Sequence, residues 1–153
     1  MSDLYDTDVV AWSERQADLL RRVAAGERVN DLVDWTNIVE EIETLGRSER
    51  SRLASHICTV LEHLMRLQAS PAIDPRRGWR ATVGRARISI AKVLEENPSL
   101  VPTVPTVVTA EMSTARQLTA LALEEHGETP TVPLDQLSYT EDQVLGPWLP
   151  EPG

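Results

Sequence analysis

The stretch from Asp34 to Gln68, DWTNIVEEIETLGRSERSRLASHICTVLEHLMRLQ, sets the terms for how the rest of the chain folds. Its apolar residues fall at Ile38, Ile42 and Leu45, and again at Leu53, Ile57, Val60, Leu64 and Leu67. Steps of three and four put them on one face of a helix far longer than the usual ~11–12 residues. Asp34 is suited to cap that helix, because its carboxylate accepts from the free N–H groups of the first turn. Val33 and Ile38 flank the cap as a hydrophobic staple would. The helix is most prone to break at Leu45–Arg50, with Gly46 as terminator and Ser48 as a new cap. The phase argues for continuity, since the eleven-residue step from Ile42 to Leu53 returns the side chain to within about 20°. One helix through Gly46 is expected, with glycine costing about 1 kcal/mol there against alanine.

The other segments read as shorter helices. Residues 1–6 form an extended lead, and Asp6 or Thr7 caps a first helix that ends near Ala25, before Gly26. Its inward face is Val9, Trp12, Leu19, Leu20 and Val23. Ser70-Pro71 and Asp74-Pro75 stop the long helix. A third helix then runs from about Arg77 to Glu96 with Trp79, Val83, Ala86, Ile90 and Val93 as its buried stripe, Trp79 being central. A proline-rich linker follows Asn97-Pro98. A fourth helix runs from about Thr106 to His126 and faces inward through Val108, Met112, Ala115, Leu118 and Ala122. The remaining residues are punctuated by proline. Within them Thr140–Gln143 matches a capping box for a short helix at 141–145, with Tyr139 and Val144 as its staple. The expected fold is all-α: an up-down-up-down four-helix bundle over 1–127, with one long central helix, and a C-terminal tail over 128–153 packed on it.

Composition narrows the functional classes. A chain of 153 residues, 41% hydrophobic, is long enough for one domain with a real core. A single cysteine, Cys58, excludes an internal disulfide. No apolar run approaches the ~20 residues that cross a bilayer. The opening Met-Ser-Asp-Leu-Tyr-Asp is unlike a secretory leader. A cytoplasmic location is expected.

Several blocks carry a resemblance. They are Tyr5-Asp6-Thr7-Asp8 with Trp12, Asn37–Arg50 (NIVEEIETLGRSER), His63-Leu64, Trp79-Arg80-x-Thr82, Asn97-Pro98-Ser99-Leu100 and Tyr139–Leu145 with Trp148-Leu149-Pro150. Together the chain resembles the bacterial domain-of-unknown-function family twenty-nine over nearly its whole length. The resemblance implies a small helical protein and supplies no activity. Where members of that family often carry a Lys-Trp-x-Tyr-like segment after the histidine, Arg66-Leu67-Gln68-Ala69 stands here.

Catalytic patterns are sparse. A di-metal bundle site needs Glu-x-x-His pairs, but the residues three before His56, His63 and His126 are Leu53, Val60 and Leu123. His56 and His63 lie about 10.5 Å apart along the helix, too far to share one metal unaided. Cys58, between Ile57 and Val60, reads as a small core residue. Arg50-x₅-His56 fits the loose pattern of helical ribonucleases of the HEPN type, in which arginine holds a phosphate and histidine moves a proton. An arginine-rich helix meets so loose a pattern by accident. A HEPN-like ribonuclease and a metal-dependent bundle enzyme are therefore alternatives, and no catalytic residue, metal ligand or cofactor is assigned.

Charge is the distinctive feature. The chain carries −9 overall, yet residues 75–94 hold Arg76, Arg77, Arg80, Arg85, Arg87 and Lys92 and no acid. Arg77, Arg80 and Arg87 lie opposite the Trp79–Val93 stripe and are expected to face solvent. With Arg76 they are the candidate partner- or anion-binding residues. Six neutralised phosphates would give a salt slope of about −5. The remaining net −15, about one Debye length away across a bundle, opposes a polyanion. The expected partner is a protein or a second copy of this chain, with no nucleic acid and no membrane. The expected role is a non-enzymatic interaction or assembly module.

Overall fold

In the computed structural model residues 3–151 are described. Among them are six α-helices and no strand: α1 (Asp3–Thr7), α2 (Val9–Ala24), α3 (Trp35–Ala69), α4 (Arg76–Glu96), α5 (Val104–Glu125) and α6 (Glu141–Leu145). Four are long, and α3 runs for 35 residues, or roughly 50 Å. It is unbroken at Gly46, as its phase required. The protein divides into two compact units, Met1–Arg47 and Ser48–Gly153. The boundary between these units falls inside α3.

The first unit is organised by polar bonds around a few apolar side chains. The expected extended lead is helical instead: Asp3–Thr7 forms α1, while Met1 and Ser2 lie outside the described residues. Asp8, and not Asp6 or Thr7, caps α2, its carboxylate accepting from Ala11 N–H at 3.0 Å. Trp12, Leu19 and Val33 are buried, but Val9 is exposed. Tyr5 meets the Trp12 ring edge-on at a centroid distance of 4.8 Å and donates its hydroxyl to Glu41 Oε1 at 2.5 Å. That bond raises the Tyr5 phenol to about 12. Asp34 begins α3 as expected. Its carboxylate accepts from the Asn37 amide and backbone and from Trp12 Nε1–H at 3.0 Å, so its pKa is held low, chiefly by Asn37. Gly26 ends α2 at φ +89°, the left-handed turn for which glycine is favoured.

The second unit contains an extensive core. Leu53, Ile57, Val60, Leu61, Leu64, Met65 and Leu67 of α3 cluster with Val83, Ala86, Ile90 and Val93 of α4 and Val104, Val108, Met112 and Ala115 of α5. Trp79, expected at the centre, is only half-buried and packs at the margin of this cluster. The proline-rich linker is a 3-10 turn, Pro98–Thr103, and α5 begins two residues early at Val104. Pro105 sits in its first turn, where a missing N–H costs nothing. The buried face of α5 continues through Thr119 and Leu123, while Leu118 is exposed. Thr119 is tolerated in the core because its hydroxyl donates to the Ala115 carbonyl at 2.8 Å. A polar residue at a core position therefore hid the true phase.

The tail is bound to the helices of this unit largely through its backbone. Arg116 donates to the Leu134 and Leu137 carbonyls, Thr131 N–H to the Ala69 carbonyl at 2.7 Å, and Tyr139 hydroxyl to Gln68 Oε1 at 2.9 Å. The Thr140 capping box opens α6, with Tyr139 and Val144 buried on either side, as expected.

Candidate interaction surface

The face of α4 opposite its buried stripe carries Arg77, Ala81, Gly84, Ile88 and Lys92, in steps of three and four. Arg80 and Arg85 border this row. Ile88 is 72% exposed although it lies in the middle of a 21-residue helix. Among the described residues Arg77 and Arg80 make no ion pair or hydrogen bond. Arg85 donates to Thr82 Oγ1 at 3.3 Å, and Lys92 lies 4.0 Å from Glu96 with both side chains exposed. Exposed pairs of that kind contribute little. Most of the cationic charge on this face has no close acidic partner among the described residues.

Only two of the four candidate arginines lie on that face. Arg77 and Arg80 do. Arg76 is buried at the C-terminal end of α3, where its guanidinium donates to the carbonyls of Leu67, Ser70 and Ala72. The last turn of a helix leaves carbonyls unpaired, and Arg76 supplies their donors. Arg87, expected to face solvent, instead donates to the carbonyls of Gln143, Val144 and Trp148 at 2.6–2.9 Å. Burial lowers its pKa. It holds the tail. The residue overlooked in the sequence is Ile88, whose signal was an apolar side chain out of phase with Val83, Ala86, Ile90 and Val93.

Near the start of α4, Trp79, Arg66, Asp74, Ala122, Leu123, His126 and Glu128 line an open cleft of about 560 Å³. Arg66 pairs with Glu62 at 2.5 Å, and Glu128 accepts from Ser70 Oγ at 2.7 Å. His126 Nδ1 lies 2.8 Å from the Ala122 carbonyl. Arg66, Glu128 and His126 are thus each engaged, by Glu62, by the Ser70 hydroxyl and by the Ala122 carbonyl.

Among the described residues the groups named for the enzymatic alternatives do not converge. Arg50 and His56 are six residues apart on α3, which sets them about 120° apart around its axis. His63 is half-buried with Nδ1 2.9 Å from the Thr59 carbonyl, and desolvation lowers its pKa. Cys58 is a buried free thiol pushed up to about 11, first by burial and then by Glu111 and Glu62. A thiol so held is a poor nucleophile. No three His, Cys, Asp or Glu side chains among the described residues are grouped to hold a metal ion. No described helix is long and apolar enough to cross a membrane.

Fold and surface together define an all-helical protein with a long central helix and one exposed basic helix face. The family model described as "Domain of unknown function DUF29" matches residues 4–149, and the chain belongs to this family. No curated protein and no solved structure matches it.

Proposed function

We propose that the protein is a non-enzymatic interaction or assembly module, and that the outward face of α4 meets an acidic protein surface. The observation that carries this reading is the conjunction on one face of exposed Ile88 with Arg77, Arg80, Arg85 and Lys92, which have no strong partner among the described residues. Desolvated apolar contact supplies affinity, and the surrounding charges supply orientation and on-rate. A phosphate backbone is a poorer partner, because the rest of the chain carries a net −15. The one buried, unpaired cysteine accords with a cytoplasmic setting.

A photo-crosslinking residue placed at Ile88 tests the proposal. Protein adducts are expected, and they should disappear when Arg77→Glu and Arg80→Glu are introduced together. Micromolar binding of DNA or RNA in a mobility-shift assay at about 150 mM salt, lost in the same double variant, would overturn it.

A further inference from the structure

A second exposed apolar face lies on the first half of α3. Trp35, Val39, Ile42 and Leu45 follow one another in steps of four and three, and all are exposed, Ile42 at 63% and Leu45 at 70%. Acids border the row: Glu43 lies four residues beyond Val39, Glu41 four residues before Leu45, and Glu40 on the outer side of Glu43. The 1–47 segment to which they belong holds eleven acids and five bases, net −6. Residues 75–94, which contain the α4 face, carry +6. One face is apolar with acidic borders and the other is apolar with basic borders.

The α4 face also has the relief to accept a helix. Ala81, Gly84 and Ala91 leave shallow ground around the projecting Ile88. A Cβ on Gly84 would meet nothing within 4 Å, so packing within the chain does not require glycine there. A mid-helix glycine costs about 1 kcal/mol relative to alanine. Close approach by another helix would use the space it leaves.

We infer that the partner of the α4 face is a second copy of this chain, which docks the Trp35–Leu45 stripe of its α3 against Ala81, Gly84 and Ile88. This rests on the reading of α4 as a protein-docking face and names its occupant. Glu40 and Glu43 of one copy then lie toward Arg77, Arg80 or Arg85 of the other. The contact is heterologous, because different surfaces meet. A single helix-on-helix contact falls below the ~1,200 Å² of a standard interface, so micromolar affinity is expected.

The test is sedimentation of the full chain over a concentration series at about 50 and 300 mM salt. Association is expected at the lower salt, weakened about tenfold or more at the higher. Arg77→Glu with Arg80→Glu, and separately Glu40→Arg with Glu43→Arg, should each abolish it, with helicity by circular dichroism unchanged. Mixing the two double variants should restore association, since each still carries the surface that the other has lost. That recovery separates a lost contact from a misfolded chain. If the mixture stays monomeric, the inference falls. If the parent chain is monomeric at every concentration while the probe at Ile88 still captures a protein sensitive to Arg77 and Arg80, the second-copy inference fails and the α4 docking reading stands. If neither association nor capture occurs, both fail.

Discussion

The two halves of α3 carry the same pattern and have opposite fates. From Leu53 to Leu67 the stripe is at most 1% exposed, while Ile42 and Leu45 of the first half stand largely in solvent. The later half gains its cover from Val83, Ile90, Val93, Val104 and Val108, which lie in the same cluster. The earlier half is engaged through polar bonds, Tyr5 to Glu41 and Trp12 to Asp34, and these leave its apolar row open. Spacing decides which side chains share a face. Whether anything covers that face is decided by what other segments can bring to it.

The largest expected effect tests this contrast directly. Leu64→Ala, in the covered half, should destabilise by about 2–5 kcal/mol, because the methyl groups lost leave a cavity. Ile42→Ala, with the same spacing and similar chemistry, should change stability by no more than about 0.5 kcal/mol. Chemical denaturation of dilute protein measures both. Equal losses would mean that the exposed row is covered in the monomer, and the contrast would be false.

Next in size is Arg76→Met, at the end of the covered half. It keeps the aliphatic bulk but removes the donors to Leu67, Ser70 and Ala72, and should cost about 2–3 kcal/mol. Arg77→Met, one residue on and exposed, should be neutral within about 0.5 kcal/mol. A harmless Arg76→Met would show that water reaches those carbonyls.

Gly46→Ala sharpens the boundary between the halves. Gly46 lies inside a continuous helix and is not among the positive-φ glycines, so alanine should be neutral or stabilising by up to ~1 kcal/mol. Destabilisation in dilute protein would reveal an intrachain contact too close for a methyl group. Unchanged stability with weakened self-association would place the close contact between copies.

The smallest effect concerns pH. Burial lowers the pKa of His63 in the covered half, so the unfolded chain takes up that proton more readily. The contribution is therefore intact above the unfolded value of 6.5 and is lost as pH falls toward the lower folded value. Comparing parent and His63→Gln between about pH 5 and 8 should show a shallower decline in the variant. A parallel decline would mean that His63 is solvated.

Sequence by itself determined the elements whose causes are local. The continuity of α3 followed from the Ile42-to-Leu53 phase, its start from Asp34, the end of α2 from Gly26, and α6 from the Thr140 capping box. Each depends on a few neighbouring residues, so each could be read from them. Half of the candidate surface was legible in the same way, since Arg77 and Arg80 lie opposite an apolar stripe. Tertiary structure decided the remainder. It turned Arg76 toward the carbonyls of α3 and Arg87 toward those of the tail, and put Thr119 in the core in place of Leu118. It also left Ile42 and Leu45 bare. A guanidinium goes where unpaired carbonyls are, and an apolar face is buried only if another segment reaches it. Both conditions are set by residues far away in the chain, which the local pattern does not contain.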